Sequence, residues 1–373
     1  MKLFQCQHCG QPLFFENVRC ESCGRSLGYL PGQEILTALE PEGEALRALA
    51  EPAGRYRYCD NAQYGVCNWL VPAGGDVYCV ACRHNRTIPN LSQPRNQEHW
   101  RRIEIAKHRL FYSLTRLHLP LTTRTEDPDG LGFDFLADDD SPVPVITGHA
   151  SGLITINLAE ADDAERERRR SQMGEPYRTL LGHFRHEIAH YFWDRLVADT
   201  PGHAVFRTIF GDERTDYVAA LNRHYAEGPP ADWPEHFITA YATAHPWEDF
   251  AETWAHYFHM VDTLETAGAF GLHARPKLPR KTTDLSIRIN FDPYRAPLNR
   301  LVDAWLPLTF AVNSINRSMG LQDLYPFILA PAVIVKLNFV HERIHAAHGG
   351  DTGTDLRAMV ASLKRKVGSP DPS

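Results

Sequence analysis

The spacing of apolar and polar residues changes period several times along this 373-residue chain, and each change marks an element. Ile103, Ala106, Leu110, Leu114 and Leu117 recur at intervals of three and four, which predicts one long amphipathic helix over residues 98–117. Residues 143–147 and 152–158 alternate or run β-branched, with Gly148-His149-Ala150-Ser151-Gly152 between them as turn signals, so two strands are expected there. Past Glu175-Pro176, a helical stripe of Tyr177, Leu180, Leu181, Phe184, Ile188, Ala189, Phe192 and Leu196 follows a proline tolerated in a first turn. A further proline-initiated helix begins at His245-Pro246. Residues 285–289 read as a short strand and 297–340 as packed helices, among which Asn313, Asn316, Arg317 and the Tyr325-Pro326-Phe327 turn are expected to shape a pocket. Residues 31–54, rich in Glu and Ala, read as a linker with a short helix around 36–49, and residues 267–281 as a loop. The charge runs at 162–170 and Asp138-Asp139-Asp140 read as a solvated face or turn.

Chemistry concentrates on the stripe that starts at Leu180. Within it stands His186-Glu187-Ile188-Ala189-His190, two histidines one helical turn apart with a glutamate after the first. That pattern can hold a Zn²⁺ and an attacking water together. A catalytic zinc takes three protein ligands, and its histidines usually donate their second ring N–H to an outer carboxylate or carbonyl. Glu248 and Glu252, four apart on the helix that starts at Pro246, supply the third ligand and that outer carboxylate respectively. Glu213 is the rival third ligand, although Tyr217 stands four residues on, where a second acid is sought. A second match, His341-Glu342-Arg343-Ile344-His345, has only 28 residues after it and no glutamate among them; Asp351, Asp355 or His348 would have to complete it. It reads instead as the end of an amphipathic helix. His149, His183, His256 and His259 read singly as satisfied histidines.

All eight cysteines precede residue 83, in the sets Cys6, Cys9, Cys20, Cys23 and Cys59, Cys67, Cys79, Cys82. Each set makes one tetrahedral site, with disulfides as the alternative for the less regular second set. Glycine follows the second thiol in Cys9-Gly10 and Cys23-Gly24, as a tight knuckle around a metal requires. Zinc or iron fits the ligand type. The predicted order is therefore ribbon one at 1–30, a linker at 31–54, ribbon two at 55–92 and a larger domain at 93–373.

A formal charge of −7 argues against nonspecific phosphate binding by the whole chain. Residues 1–100 balance nine Lys/Arg against ten Asp/Glu, so no electrostatic footprint for nucleic acid is visible. Arg55-Tyr56-Arg57-Tyr58 and Arg83-His84-Asn85-Arg86 read as solvated ribbon surface, with contact to RNA or a protein partner as the other reading. No apolar run approaches 18 residues and Met1 leads straight into Cys6, so neither a membrane span nor a secretory signal is expected and the compartment is expected to be the cytoplasm.

HEIAH followed after 57 intervening residues by EDFAE resembles the gluzincin branch of zinc peptidases. The run from Cys59 through Trp69, Pro89 and Trp100 to GLITINLAEAD, EPYRTLLGHFRHE, FGDERTDY and AHPWEDFAETWAHYFH is similar to a bacterial family of zinc-binding metallopeptidases with an N-terminal zinc ribbon. The resemblance covers nearly the whole chain. It implies an α+β, zincin-like fold, mostly helical with a small sheet, preceded by two small four-cysteine zinc ribbons; His186, His190 and Glu248 as ligands; and Glu187 as general base. It further implies one catalytic and two structural zincs, a peptide, isopeptide or protein substrate, and Leu153-Ile154-Thr155-Ile156-Asn157 beside the cleft, an internal strand being the alternative. Candidate donors to the oxyanion are Tyr241, whose offset from Glu248 matches a tyrosine of lethal-factor-like gluzincins, and His245. The competing class is a noncatalytic, zinc-stabilised adaptor that binds protein or RNA through its ribbons. Glu187 separates the two, since a purely structural site needs no acid between its histidines.

Overall fold

The computed structural model describes residues 1–138, 145–173, 179–277 and 285–347. They form a mixed α+β protein with nine α-helices and four small sheets among the described residues. Contacts divide the chain into two compact units, Lys2–Tyr191 and residue 192 onwards together with Met1.

The first unit begins with the two-stranded hairpin β1 (Phe4–Gln5) and β2 (Pro12–Leu13). A five-stranded antiparallel meander follows: β3 (Leu27–Leu30), β4 (Ile35–Glu42), β5 (Ala45–Ala48), β6 (Glu51–Tyr58) and β7 (Leu70–Pro72). Residues 36–49 are thus strands and not the expected helix. Glu42 pairs with Ala45 across the two-residue turn Gly43-Glu44, where Gly43 takes φ +62°. Such a glycine fits the twist of a tight hairpin, and burial of Leu30, Leu39, Ala48, Tyr56 and Leu70 in one cluster outweighs the modest helix preference of Glu and Ala. Segment 31–54 is built into the sheet that joins the two cysteine sets. Phe15, Tyr29, Trp69 and Tyr112 pack together, with Phe15–Tyr29 and Tyr29–Trp69 centroids both 4.8 Å apart.

Tyr112 belongs to α1 (Pro94–Arg116), which starts four residues before the predicted helix because Pro94 fits a first turn. Beside it lies the sheet β10-β11-β9-β8, made of β8 (Asn85–Thr87), β9 (Gly132–Leu136), β10 (Gly148–Ala150) and β11 (Leu153–Asn157). Here the expected turn is itself a strand. Residues 145–147 are not in strand, and 143 and 144 lie outside the described residues. The reversal is made by Ser151-Gly152, both at positive φ (46° and 77°), the geometry of a two-residue hairpin. β11 is paired on both sides, antiparallel to β10 and parallel to β9, so among the described residues the edges of this sheet are β10 and β8. The charge run lies in α2 (Asp163–Met173), where Arg166 pairs with Asp163 and the exposed Arg168 with Glu165. Glu175, Pro176 and Tyr177 lie outside the described residues. The first unit closes in α3 (Leu180–Leu196), whose last turn from Phe192 belongs to the second unit.

The second unit continues with α4 (Gly202–Phe210), α5 (Tyr217–Glu227), α6 (Trp233–His236) and α7 (Pro246–Ala269). It then runs through β12 (His273–Ala274), β13 (Ile287–Arg288), α8 (Leu298–Ser318) and α9 (Pro331–Ala346). Most of α7 is buried around its whole circumference, which makes it the central helix of this unit. Phe192 stacks on Trp254 of α7 at 5.2 Å, and Trp193 meets Trp247 edge-on at 5.4 Å. Lys336 of α9 pairs with Asp249 at 2.6 Å, donates to the carbonyl of His236 and sits 4.0 Å from the centroid of the Phe237 ring. The expected pocket residues make a clamp: Asn313 donates to the carbonyl of Tyr325 and accepts its N–H.

Candidate metal centres

On α3 the helical repeat puts His186 and His190 on one face, with ring centroids 5.2 Å apart. His149 of β10 lies against His190 at 6.0 Å; its Nε2 accepts the Gly152 N–H, and burial pushes its imidazole down to about 3. One turn earlier on α3, His183 Nδ1 is 3.3 Å from the buried Glu160 carboxylate.

The start of α7 is fixed by Pro246 in its first turn and by His245 as cap. The Trp247 N–H donates to His245 Nδ1 at 3.1 Å, so Nε2 carries the proton, which goes to the Thr215 carbonyl at 3.1 Å. Both ring nitrogens are thus engaged by backbone, with His245 as the cap of α7. Glu248 follows in the first turn, where the helix dipole favours a carboxylate, and is 1% exposed. It accepts a hydrogen bond from the Tyr217 hydroxyl at 2.8 Å. Glu252, one turn on, accepts from Thr239 Oγ1 at 2.7 Å. Burial, and secondarily the charge of Glu248, push the Tyr241 phenol far above its ordinary range, so it stays protonated.

His186 and His190 stand on α3 within the first unit, and Glu248 in the first turn of α7 within the second. Glu213 is engaged elsewhere: Arg207 Nε is 3.1 and 3.0 Å from its two oxygens and His203 is 2.9 Å away. Arg207 holds that carboxyl down at about 2. The second HExxH copy joins no group of three ligands among the described residues. Its histidines, with centroids 4.3 Å apart, face the Tyr257 hydroxyl, 3.0 Å from His341 Nδ1. His348, Asp351 and Asp355 lie outside the described residues.

The cysteines gather into two clusters, Cys6, Cys9, Cys20, Cys23 and Cys59, Cys67, Cys79, Cys82, each with its sulfurs within 4.8 Å. None is in a disulfide. In the first, Gly10 and Gly24 at φ +77° and +74° return their N–H groups to the carbonyls of Cys6 and Cys20, forming the two expected knuckles. Cys6–Cys23 and Cys9–Cys20 sulfurs are 3.8 and 3.6 Å apart, near the roughly 3.8 Å edge of a tetrahedron with 2.3 Å Zn–S bonds. In the second cluster the N–H groups of Trp69, Cys79 and Cys82 point at Cys67, Cys59 and Cys79, each at 3.4 Å, as donors to thiolates would. Both clusters fit a thiophilic ion.

Residues 96–343 match the model of a family described as "Putative zinc-binding metallo-peptidase". The chain belongs to that family. Residues 3–93, spanning both cysteine sets and the strands between them, match a zinc-ribbon domain. Uncharacterized proteins of Mycobacterium tuberculosis and Mycobacterium bovis are 42% identical to this chain over 349 residues, covering 91% of it and 94% of theirs. No solved structure matches. No described helix is long and apolar enough to cross a membrane.

Two residues at the candidate metal sites carry no signal in the sequence. The bond of Tyr217 to Glu248, 31 residues away, has no local signature. His108, on the buried face of α1, reaches the second cysteine cluster from 26 residues beyond Cys82.

Proposed function

We propose that the protein is a gluzincin-type, zincin-like zinc peptidase, a hydrolase cutting peptide or isopeptide bonds in a peptide or protein substrate. The observation that carries the reading is the pair His186 and His190 on one face of α3 with Glu187 beside the first of them, in a chain that matches the zinc-binding metallo-peptidase family over residues 96–343 and carries the buried Glu248 at the start of α7. Two histidines and a glutamate suit a catalytic zinc with an open position. When bound there, zinc supplies Lewis acidity toward a water and a carbonyl. Glu187 takes the proton from the attacking water and later passes it to the leaving amine. Tyr217 orients Glu248, and Thr239 orients Glu252, the carboxylate assigned to a ligand histidine's outer N–H. Tyr241, kept protonated, is the donor assigned to the developing oxyanion.

An extended substrate pairs by its backbone with β10, the edge strand that carries His149. The two cysteine clusters are structural zincs, giving three per chain. Eight cysteines grouped for metal and free of disulfides suit the cytoplasm. A purely structural site, as in a noncatalytic adaptor, would have no use for Glu187.

The test is metal content with a peptide-cleavage assay. About three zincs per chain are expected, two resisting brief chelation and one labile. Glu187→Gln should keep all three and stop cleavage; wild-type cleavage by this variant would sink the mechanism.

A further inference from the structure

The second cysteine cluster has one donor more than a tetrahedral ion needs. Besides four sulfurs it receives the imidazole of His108 from α1, with Nε2 3.2 Å from the sulfur of Cys67, 3.7 Å from Cys82 and 3.9 Å from Cys79. In a mixed tetrahedron, bonds of roughly 2.3 Å to sulfur and roughly 2.0 Å to nitrogen put N and S about 3.5 Å apart, so Nε2 stands where a fourth ligand to those three sulfurs would stand.

The other ring nitrogen decides what Nε2 offers. Nδ1 is 2.7 Å from the backbone oxygen of Glu104, which can only accept, so Nδ1 carries the proton and the neutral ring turns its Nε2 lone pair toward the sulfurs. That is the arrangement of a metal-ligating histidine. The ring is held in place. It packs edge-on against Trp69 at 5.1 Å, and the Glu104 side chain, fully buried, is itself gripped by Lys107 at 3.0 Å, Asn85 at 2.6 Å and Trp100 at 3.1 Å. Independently, ligand atoms of Cys82, Glu104 and His108 also fall within 4.8 Å of one another.

We propose that His108 is a reserve metal ligand of the second cluster: Cys67, Cys79 and Cys82 hold the ion throughout, while Cys59 and His108 exchange at the fourth position. In the exchange the metal–sulfur bond to Cys59 breaks, the bond to His108 Nε2 forms, and the released thiolate takes a proton from water; the metal keeps its oxidation state. The cluster therefore retains its ion when Cys59 is lost or modified. The first cluster, a group of four sulfurs, has no such reserve among the described residues.

The experiment measures metal per chain after desalting, and the absorption of the cobalt-substituted protein, for wild type, Cys59→Ala, Cys67→Ala and Cys59→Ala/His108→Ala. Cys59→Ala should keep the wild-type stoichiometry with one fewer thiolate's worth of sulfur-to-cobalt absorption, while Cys67→Ala and the double variant each lose one equivalent. Loss of one equivalent by Cys59→Ala alone, or equal content in the single and double variants, would overturn the proposal. Should Cys59→Ala fail to fold, limited alkylation of the wild-type protein followed by native mass spectrometry decides. A species alkylated once, at Cys59, and still fully metallated is expected; its absence, or departure of the metal with that alkyl group, overturns the assignment. Neither readout depends on the peptidase reaction.

Discussion

Tyr217, the first residue of α5, donates its hydroxyl to Oε1 of Glu248 at 2.8 Å. Glu248 is a buried carboxylate, and such a group needs hydrogen bonds to keep its charge and its orientation. Tyr217→Phe removes one of them without removing the ring, which meets His245 edge-on at 5.2 Å. We expect zinc affinity of the labile site to fall about 10- to 100-fold, the usual cost of losing an outer hydrogen bond to a ligand. Competition with a chelator measures it, and an unchanged affinity would show that Tyr217 does not support the ligand.

Glu248→Gln and Glu252→Gln should differ. The first is expected to weaken zinc binding and cleavage together, the second to weaken affinity about 10- to 100-fold and leave some activity at saturating zinc. The proposed assignment rests on one helical turn: Glu248 and Glu252 stand four residues apart on α7, so one carboxylate is assigned to the ion and the other, held by Thr239, to a ligand histidine. Identical profiles for the two variants would contradict this division of labour.

Glu213→Gln serves as the complementary control. Arg207 holds the Glu213 carboxyl at about 2, below its ordinary 4.5, so its contribution to stability is present above about pH 4.5 and is lost as pH falls toward 2. The variant should therefore unfold at lower urea than wild type at pH 7, with the gap narrowing below pH 4.5, and should keep its zinc. Loss of the labile zinc in this variant but not in Glu248→Gln would move the third ligand to Glu213.

Lys336→Met leaves Asp249 buried without its cation. Burial already pushes that carboxyl up to about 7 with Lys336 beside it. Removing one partner of a buried pair costs about 3–5 kcal/mol, and chemical denaturation should show a loss of that order. A loss under about 1 kcal/mol would mean that water reaches Asp249.

The second HExxH copy should prove structural. His341→Leu is expected to leave zinc content unchanged and to lower stability by about 1–3 kcal/mol, because the buried Tyr257 hydroxyl loses its closer partner. A missing equivalent of metal would make His341 a ligand after all.

Local chemistry made much of this protein legible in its sequence. Paired Cys-x2-Cys spacings, glycines after Cys9 and Cys23, the three-and-four rhythm around His186 and His190, and Pro246 ahead of Glu248 all act over a few residues, where the backbone alone brings side chains together. The second HExxH copy shows the limit of that reading: its spacing equals that of the first, yet α9 turns His341 toward Tyr257. Likewise, helix preference in residues 36–49 yielded to a hairpin because pairing along β4 and β5 buries Leu39 and Ala48 in a shared core. Leu153 to Asn157 became an internal strand because the φ of Ser151 and Gly152 folded residues 148–150 back onto it. Tyr217 behind Glu248 and His108 against the sulfurs belong wholly to tertiary structure, since a buried polar atom takes whichever partner the packing brings within 3 or 4 Å, however far off that partner lies along the chain.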